Sequence, residues 1–202
     1  MDLWAYENEL FDLGAKTICG VDEAGRGPLA GPVYAAAVIL PAGIEIDGLN
    51  DSKKLTANKR EKLFDIIIAN SIVYGIAAAS EREIDELNIL NATYLAMNRA
   101  IKLLGIAPDI ALIDGNKSDG IIYPNKTIIG GDGKSASIAA ASILAKVSRD
   151  RFMLELDKKY PEYMFFKHKG YGTKLHYEML RTYGPSPVHR KTFLKKMHCS
   201  GA

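Results

Sequence analysis

Cysteine is nearly absent from the chain: two in 202 residues, Cys19 and Cys199, at no metal-binding or redox spacing. A disulfide framework and a thiolate metal site have nothing to build on, and a reduced, cytoplasmic setting is the expectation. No apolar run approaches the roughly 20 residues of a membrane span, so no membrane association is expected. The opening residues, MDLWAYENELFDLG, are acidic and amphipathic and lack the basic start and apolar core of a signal peptide. Low-complexity tracts and internal repeats are missing too. What is there is ordinary for a globular protein, 48% hydrophobic and 25% charged. The length suits a single domain over residues 1–202. With no self-complementary apolar surface evident, a monomer is expected.

A net charge of +2 says little, but its distribution says more. Residues 146–202 hold 13 Lys/Arg against 5 Asp/Glu, a balance of +8, and residues 1–145 balance at −6. A basic C-terminal quarter beside a body with focused acid suits a polyanion held against a cation-binding centre.

Turn signals divide the chain into β-like runs at Thr17–Ala24, Val33–Leu40, Ile72–Ala79, Asp109–Asp114 and Lys126–Ile129. The first two are expected to be neighbours. Helical spacing covers Ala57–Ile68, with Thr56 as N-cap, and Asn91–Leu104, stopping at Gly105. An Ala-rich helix over Ser137–Lys159 ends before Pro161, and Thr173 caps Lys174–Tyr183. This is an α/β core followed by a basic helical C-terminal part from about residue 146.

Four acids stand out by position. Asp22 and Glu23 end an apolar strand, Asp114 ends DIALID, and Asp132 sits in GGDGKS before the long helix. Acids before glycine are ordinary turn-formers, yet the ends of strands in α/β sheets are also where ligand sites form. If the four converge, their repulsion must be relieved by protons or cations. Hard oxygen donors without His or Cys favour Mg²⁺ or Mn²⁺, and two such ions suit phosphodiester hydrolysis. Adjacent strand residues point to opposite faces, so Asp22 and Glu23 are expected to share a site through a bend, which Gly25 would permit. Gly25 and Gly27 also let backbone amides approach a ligand, and Arg26 between them can hold a phosphate.

The longer strings GVDEAGRGPLAGPVYAAAVIL, NDSKKLT, ALIDGNK, GDGKSASIAAASILAKVSRD, HKGYGT and GPSPVHRKTF resemble, in order and across nearly the whole chain, the bacterial type II ribonuclease H family. The resemblance implies a ribonuclease H-like mixed sheet flanked by helices. It implies cleavage of RNA in RNA/DNA hybrids, and of duplex DNA 5′ to a single embedded ribonucleotide, leaving 3′-hydroxyl and 5′-phosphate ends. Asp22, Glu23, Asp114 and Asp132 become the catalytic, metal-binding set for Mg²⁺ or Mn²⁺. The backbone of Gly25, Arg26 and Gly27 becomes the sensor of the 2′-hydroxyl. Tyr171 corresponds to the tyrosine that stacks on the deoxyribose following the ribonucleotide. Ser52, Lys53, Lys134 and Ser135 look like phosphate contacts. His168, His189 and Arg190 all match the family, and for each a structural role or a backbone-phosphate contact fits. The tail KKMHCSGA contains no recognisable sliding-clamp-binding peptide. Another two-metal nuclease on the same fold, or a catalytically silent nucleic-acid-binding module, are the alternatives.

Overall fold

Alanine-rich and β-branched runs pair into one mixed sheet. The structure, a computed structural model, describes residues 2–50, 52 and 55–195. Lys53 and the tail beyond Lys195, both read above, lie outside the described residues. Strands β1 (Ile18–Ala24), β2 (Val33–Ile39), β3 (Val73–Ala79), β4 (Ile110–Asp114) and β5 (Asn125–Ile128) lie in the order β3-β2-β1-β4-β5. β2 is antiparallel to both β1 and β3, whereas β4 runs parallel to β1 and β5 parallel to β4.

The helices are α1 (Ala5–Asp12), α2 (Ala57–Asn70), α3 (Glu81–Leu87), α4 (Ile89–Lys102), α5 (Ala136–Lys159), α6 (Phe165–His168), α7 (Lys174–Tyr183) and α8 (Lys191–Leu194). Thr56 and Thr173 cap α2 and α7 as expected, each accepting from a backbone N–H three residues on. α4 starts two residues before the expected Asn91, because Asn88 (φ 67°) caps it by accepting from the N–H groups of Leu90 and Asn91.

Strand alternation decides what each face buries. Cys19, Val21, Val33 and Ala35 pack under Tyr94, Met97 and Ile101 of α4. Ala36 and Val38 face the other way, onto Leu63, Phe64 and Ile67 of α2 and Ala140, Ile143 and Leu144 of α5. α5 lies against β1 almost backbone to backbone, since a Cβ at Gly20 would sit 2.0 Å from the Ser137 carbonyl carbon. A third cluster joins Leu29 and Ala30 to Met153, Tyr163, Phe165, Leu180 and Leu194, tying the loop after β1 to the helical C-terminal part.

Candidate active site

Adjacent parallel strands bring their carboxyl ends together, and here both carry acid near that end. Val21 pairs with Ile113, so Asp22 and Asp114 stand side by side one residue further on. The turn of 3-10 helix before α5, Gly131–Gly133, carries Asp132 to the same point. Asp22, Asp114 and Asp132 each place a carboxylate oxygen within 4.8 Å of the others. Asp114 Oδ1 accepts from the Gly131 N–H at 2.7 Å, which docks that turn on β4.

Glu23 reaches the site differently from the expectation. The β1–β2 ladder stays regular through Ala24, so the strand does not bend between Asp22 and Glu23. Asp22 therefore faces α5 and Glu23 faces α4. Glu23 lines a cleft of about 280 Å³ with Tyr94, Met97, Asp114 and Lys117, where Asp114 belongs to both the cleft and the three-acid cluster. Gly25 (φ 100°) turns the chain only after the strand has ended.

Burial, then the charges of Glu23 and Asp114, hold the Asp22 carboxyl well above the usual carboxylate range. Hydrogen bonds from the Glu23 N–H (2.7 Å) and from Ser142 oppose this. A buried cluster of oxygen donors in which one carboxyl resists ionising is short of positive charge. The donor set fits a hard divalent cation.

The glycine loop beside the acids is gripped from below by two buried arginines. Arg190 donates to the carbonyls of Gly25, Arg26 and Gly31 at 2.6–2.9 Å. Arg149 donates to those of Ala30, Pro32 and Lys169 at 3.0–3.2 Å. Both are fully buried. Burial, then the neighbouring Arg149 charge, pushes Arg190 down to about 9. In a trans peptide the C=O and the following N–H point in opposite directions. With the carbonyls of residues 25 and 26 turned onto Arg190, the N–H groups of Arg26 and Gly27 point away from it. The Arg26 side chain is exposed and lies 3.4 Å from Glu23. Tyr171, 43% exposed, stands beside the loop, since a Cβ at Gly27 would meet its ring at 3.9 Å.

Three expected phosphate contacts turn inward instead. Arg190 has its guanidinium spent on loop carbonyls, so it shapes the loop rather than facing a phosphate. Ser135 is fully buried, caps α5 by accepting from the Ile138 N–H, and donates to Glu7 of α1 at 2.6 Å. Ser52 is buried with its hydroxyl 2.7 Å from that of Ser142, the residue that bonds Asp22. Lys134 stays at the surface side of the turn, its Nζ donating to the Ile129 carbonyl. The basic excess also thins: Lys146 and Arg151 are paired with Asp150 and Glu61, while Lys167, Lys174, Arg181 and Lys191 are exposed.

Arg149, Ser142 and Glu7 were not singled out from sequence. For Arg149 a signal was present: Ala145 and Met153, four residues to either side on a helix, are both apolar, which puts it on the buried stripe.

The chain matches the family model described as Ribonuclease HII over residues 19–199. It is 58% identical over 191 residues to the ribonuclease HII of Caldicellulosiruptor bescii, covering 95% of this chain and 93% of the relative. With the ribonuclease HII of Clostridioides difficile it is 54% identical over 192 residues, 95% of this chain and 75% of the relative. Among solved structures, the ribonuclease H2 of Pyrococcus horikoshii superposes with a TM-score of 0.71 at 31% identity, covering 88% and 93% of the two chains. A Bst-RNase HIII in complex with Mn²⁺ shares the fold, with a TM-score of 0.69 at 20% identity over 86% of this chain and 65% of that one. No helix among the described residues is long and apolar enough to cross a membrane. The chain thus belongs to the ribonuclease HII family and is an endonuclease of the ribonuclease H type.

Proposed function

We propose that the protein cuts duplex DNA on the 5′ side of an embedded ribonucleotide, as well as the RNA strand of RNA/DNA hybrids, with Asp22, Glu23, Asp114 and Asp132 holding Mg²⁺ or Mn²⁺. The observation that carries this is the meeting of three carboxylates within 4.8 Å, next to a loop whose Gly25 and Arg26 carbonyls are held by Arg190, which turns the following N–H groups away from it. Bound divalent ions supply an activated water and neutralise charge on the leaving oxygen. The net reaction adds water across one bond: its oxygen joins phosphorus, the P–O3′ bond breaks, and the departing 3′ oxygen takes a proton.

The chain's own residues prepare that exchange. Asp22 and Asp132 approach from the α5 face and Glu23 from the α4 face, with Asp114 between them, so donors surround the point of attack from both sides of the sheet edge. The N–H groups of Arg26 and Gly27 are set to test for a 2′-hydroxyl, the group that separates RNA from DNA. The exposed Tyr171 ring offers a flat apolar surface to a sugar lacking that hydroxyl. We also take the chain to work as a one-domain, cytoplasmic monomer.

A duplex with one ribonucleotide, incubated with Mg²⁺ or Mn²⁺ and then with chelator, tests this. Metal-dependent cleavage 5′ to the ribonucleotide is expected, and Asp114→Asn should abolish it with the melting transition intact. Tight binding without any cut would refute the catalytic assignment.

A further inference from the structure

Three buried histidines lie directly behind Tyr171, and their hydrogen bonds run in one direction. The Ser186 N–H meets His189 Nδ1 at 3.0 Å, and a backbone N–H only donates, so that Nδ1 is an acceptor. Its proton is therefore on Nε2, which lies 3.0 Å from His176 Nε2. His176 accepts there, so its own proton is on Nδ1, 3.0 Å from the Tyr171 carbonyl. Each tautomer is thus dictated by the link before it. His168 flanks the chain, its ring stacked on His176 with centroids 4.3 Å apart. Its Nδ1 accepts from the Gly170 N–H at 3.2 Å and its Nε2 faces the Tyr163 carbonyl at 2.9 Å.

The Tyr171 carbonyl and, one residue earlier, the Gly170 N–H are therefore held by imidazole nitrogens, while the Tyr171 ring itself is exposed. Nothing in the proposed chemistry uses these histidines, and all three are buried. Burial pushes His176 and His189 down to about 4, which keeps the chain of bonds neutral at working pH.

We propose that His176 and His189 are positioning residues for Tyr171, a relay from Ser186 that fixes the ring at the edge of the site where ribonucleotide meets deoxyribonucleotide. The proposal rests on the stacking role given to Tyr171 above. Histidine suits the task because one ring can accept at one nitrogen and donate at the other in a dry interior.

The readout is a ratio: kcat/KM on a single-ribonucleotide duplex divided by kcat/KM on a continuous RNA/DNA hybrid. Tyr171→Ala should lower it about tenfold, the scale of a lost stacking contact. His176→Ala should lower it by a similar factor, and the double variant should fall no further. His176→Asn keeps a nitrogen donor near Nδ1 and should recover the ratio to within about threefold. His189→Asn keeps an acceptor for Ser186 but loses the donor to His176, so it should show the loss; His189→Gln returns a donor near Nε2 and should not. That second pair decides the matter if His176→Ala does not fold. An unchanged ratio in Tyr171→Ala would remove the stacking role itself. A lowered ratio there, with wild-type ratios in folded His176→Ala and His189→Asn, would overturn the relay alone.

Discussion

Replacing Asp22 with asparagine should stabilise the metal-free protein while destroying its activity. The two side chains have nearly the same shape, and the amide would keep the oxygen that accepts the Glu23 N–H. What disappears is charge. At 4.8 Å, the outer limit of the separations among Asp22, Asp114 and Asp132, two full charges repel by about 3.5 kcal/mol at an effective dielectric of 20. Asp22 takes part in two such pairs. Its raised pKa means that protonation already relieves part of this, so about 2 kcal/mol of net gain remains, or a melting point higher by about 4–8 °C for a chain of this length. The sign with pH follows: a carboxyl whose folded pKa lies above its unfolded one favours folding at low pH and loses that contribution as pH rises through the folded value. The advantage of the variant should therefore be larger at pH 8 than at pH 5. Melting curves in chelator would show it, with the exposed Asp65→Asn as a control expected to shift by less than about 0.5 kcal/mol. Adding Mg²⁺ should raise wild type more than the variant, since a ligand stabilises only the state that binds it. A melting point at or below wild type in chelator at pH 8 would refute the electrostatic crowding.

Further outcomes can be checked alongside. Gly25→Ala should cost about 2–4 kcal/mol by urea titration, because φ is 100° and the new methyl would lie 2.0 Å from Arg149 Nε; a loss under about 0.5 kcal/mol would count against the grip on the loop. Glu7→Gln should cost about 1–2 kcal/mol, since Glu7 Oε1 accepts from Ser135 Oγ, Ser137 N and Ser137 Oγ at the positive end of α5. His176 and His189, held near 4 against an ordinary value near 6.5, bind fewer protons folded than unfolded. Stability should accordingly rise with pH between about 4 and 6.5, by roughly 1–3 kcal/mol per ring, and His176→Asn should flatten that slope in urea midpoints measured at pH 5 and 7.

The strands and long helices were legible because turn residues bracket apolar runs of the right length. Strand order was not, since the pairing of β1 with β4 joins residues some ninety positions apart. α3 escaped because seven residues show too little period, although its capping box, Ser80 with Glu83, is written in the sequence. The acids could be found by position, and the three aspartates do meet. Their geometry was harder to see: a bend was expected to bring Glu23 beside Asp22, whereas the regular ladder sends Glu23 to the opposite face. The family resemblance suggests phosphate contacts at Ser135 and Ser52, and either a phosphate contact or a structural role at Arg190. Each is buried by a long-range partner, Gly25 and Gly31 for Arg190, Glu7 for Ser135 and Ser142 for Ser52, and no local pattern announces such partners.

Gly20 looks like a detail of helix–sheet packing, yet it works as a caliper. It lies two residues before Asp22, and Ser137, which it touches, lies five residues after Asp132. The aperture between those two carboxylates is thus set by how closely two backbones can approach when no methyl intervenes. A methyl at position 20 would press on the backbone of Ser137 and Ile138 and open that aperture like a wedge. A chain can in this way lose its chemistry through a residue that carries no functional group at all.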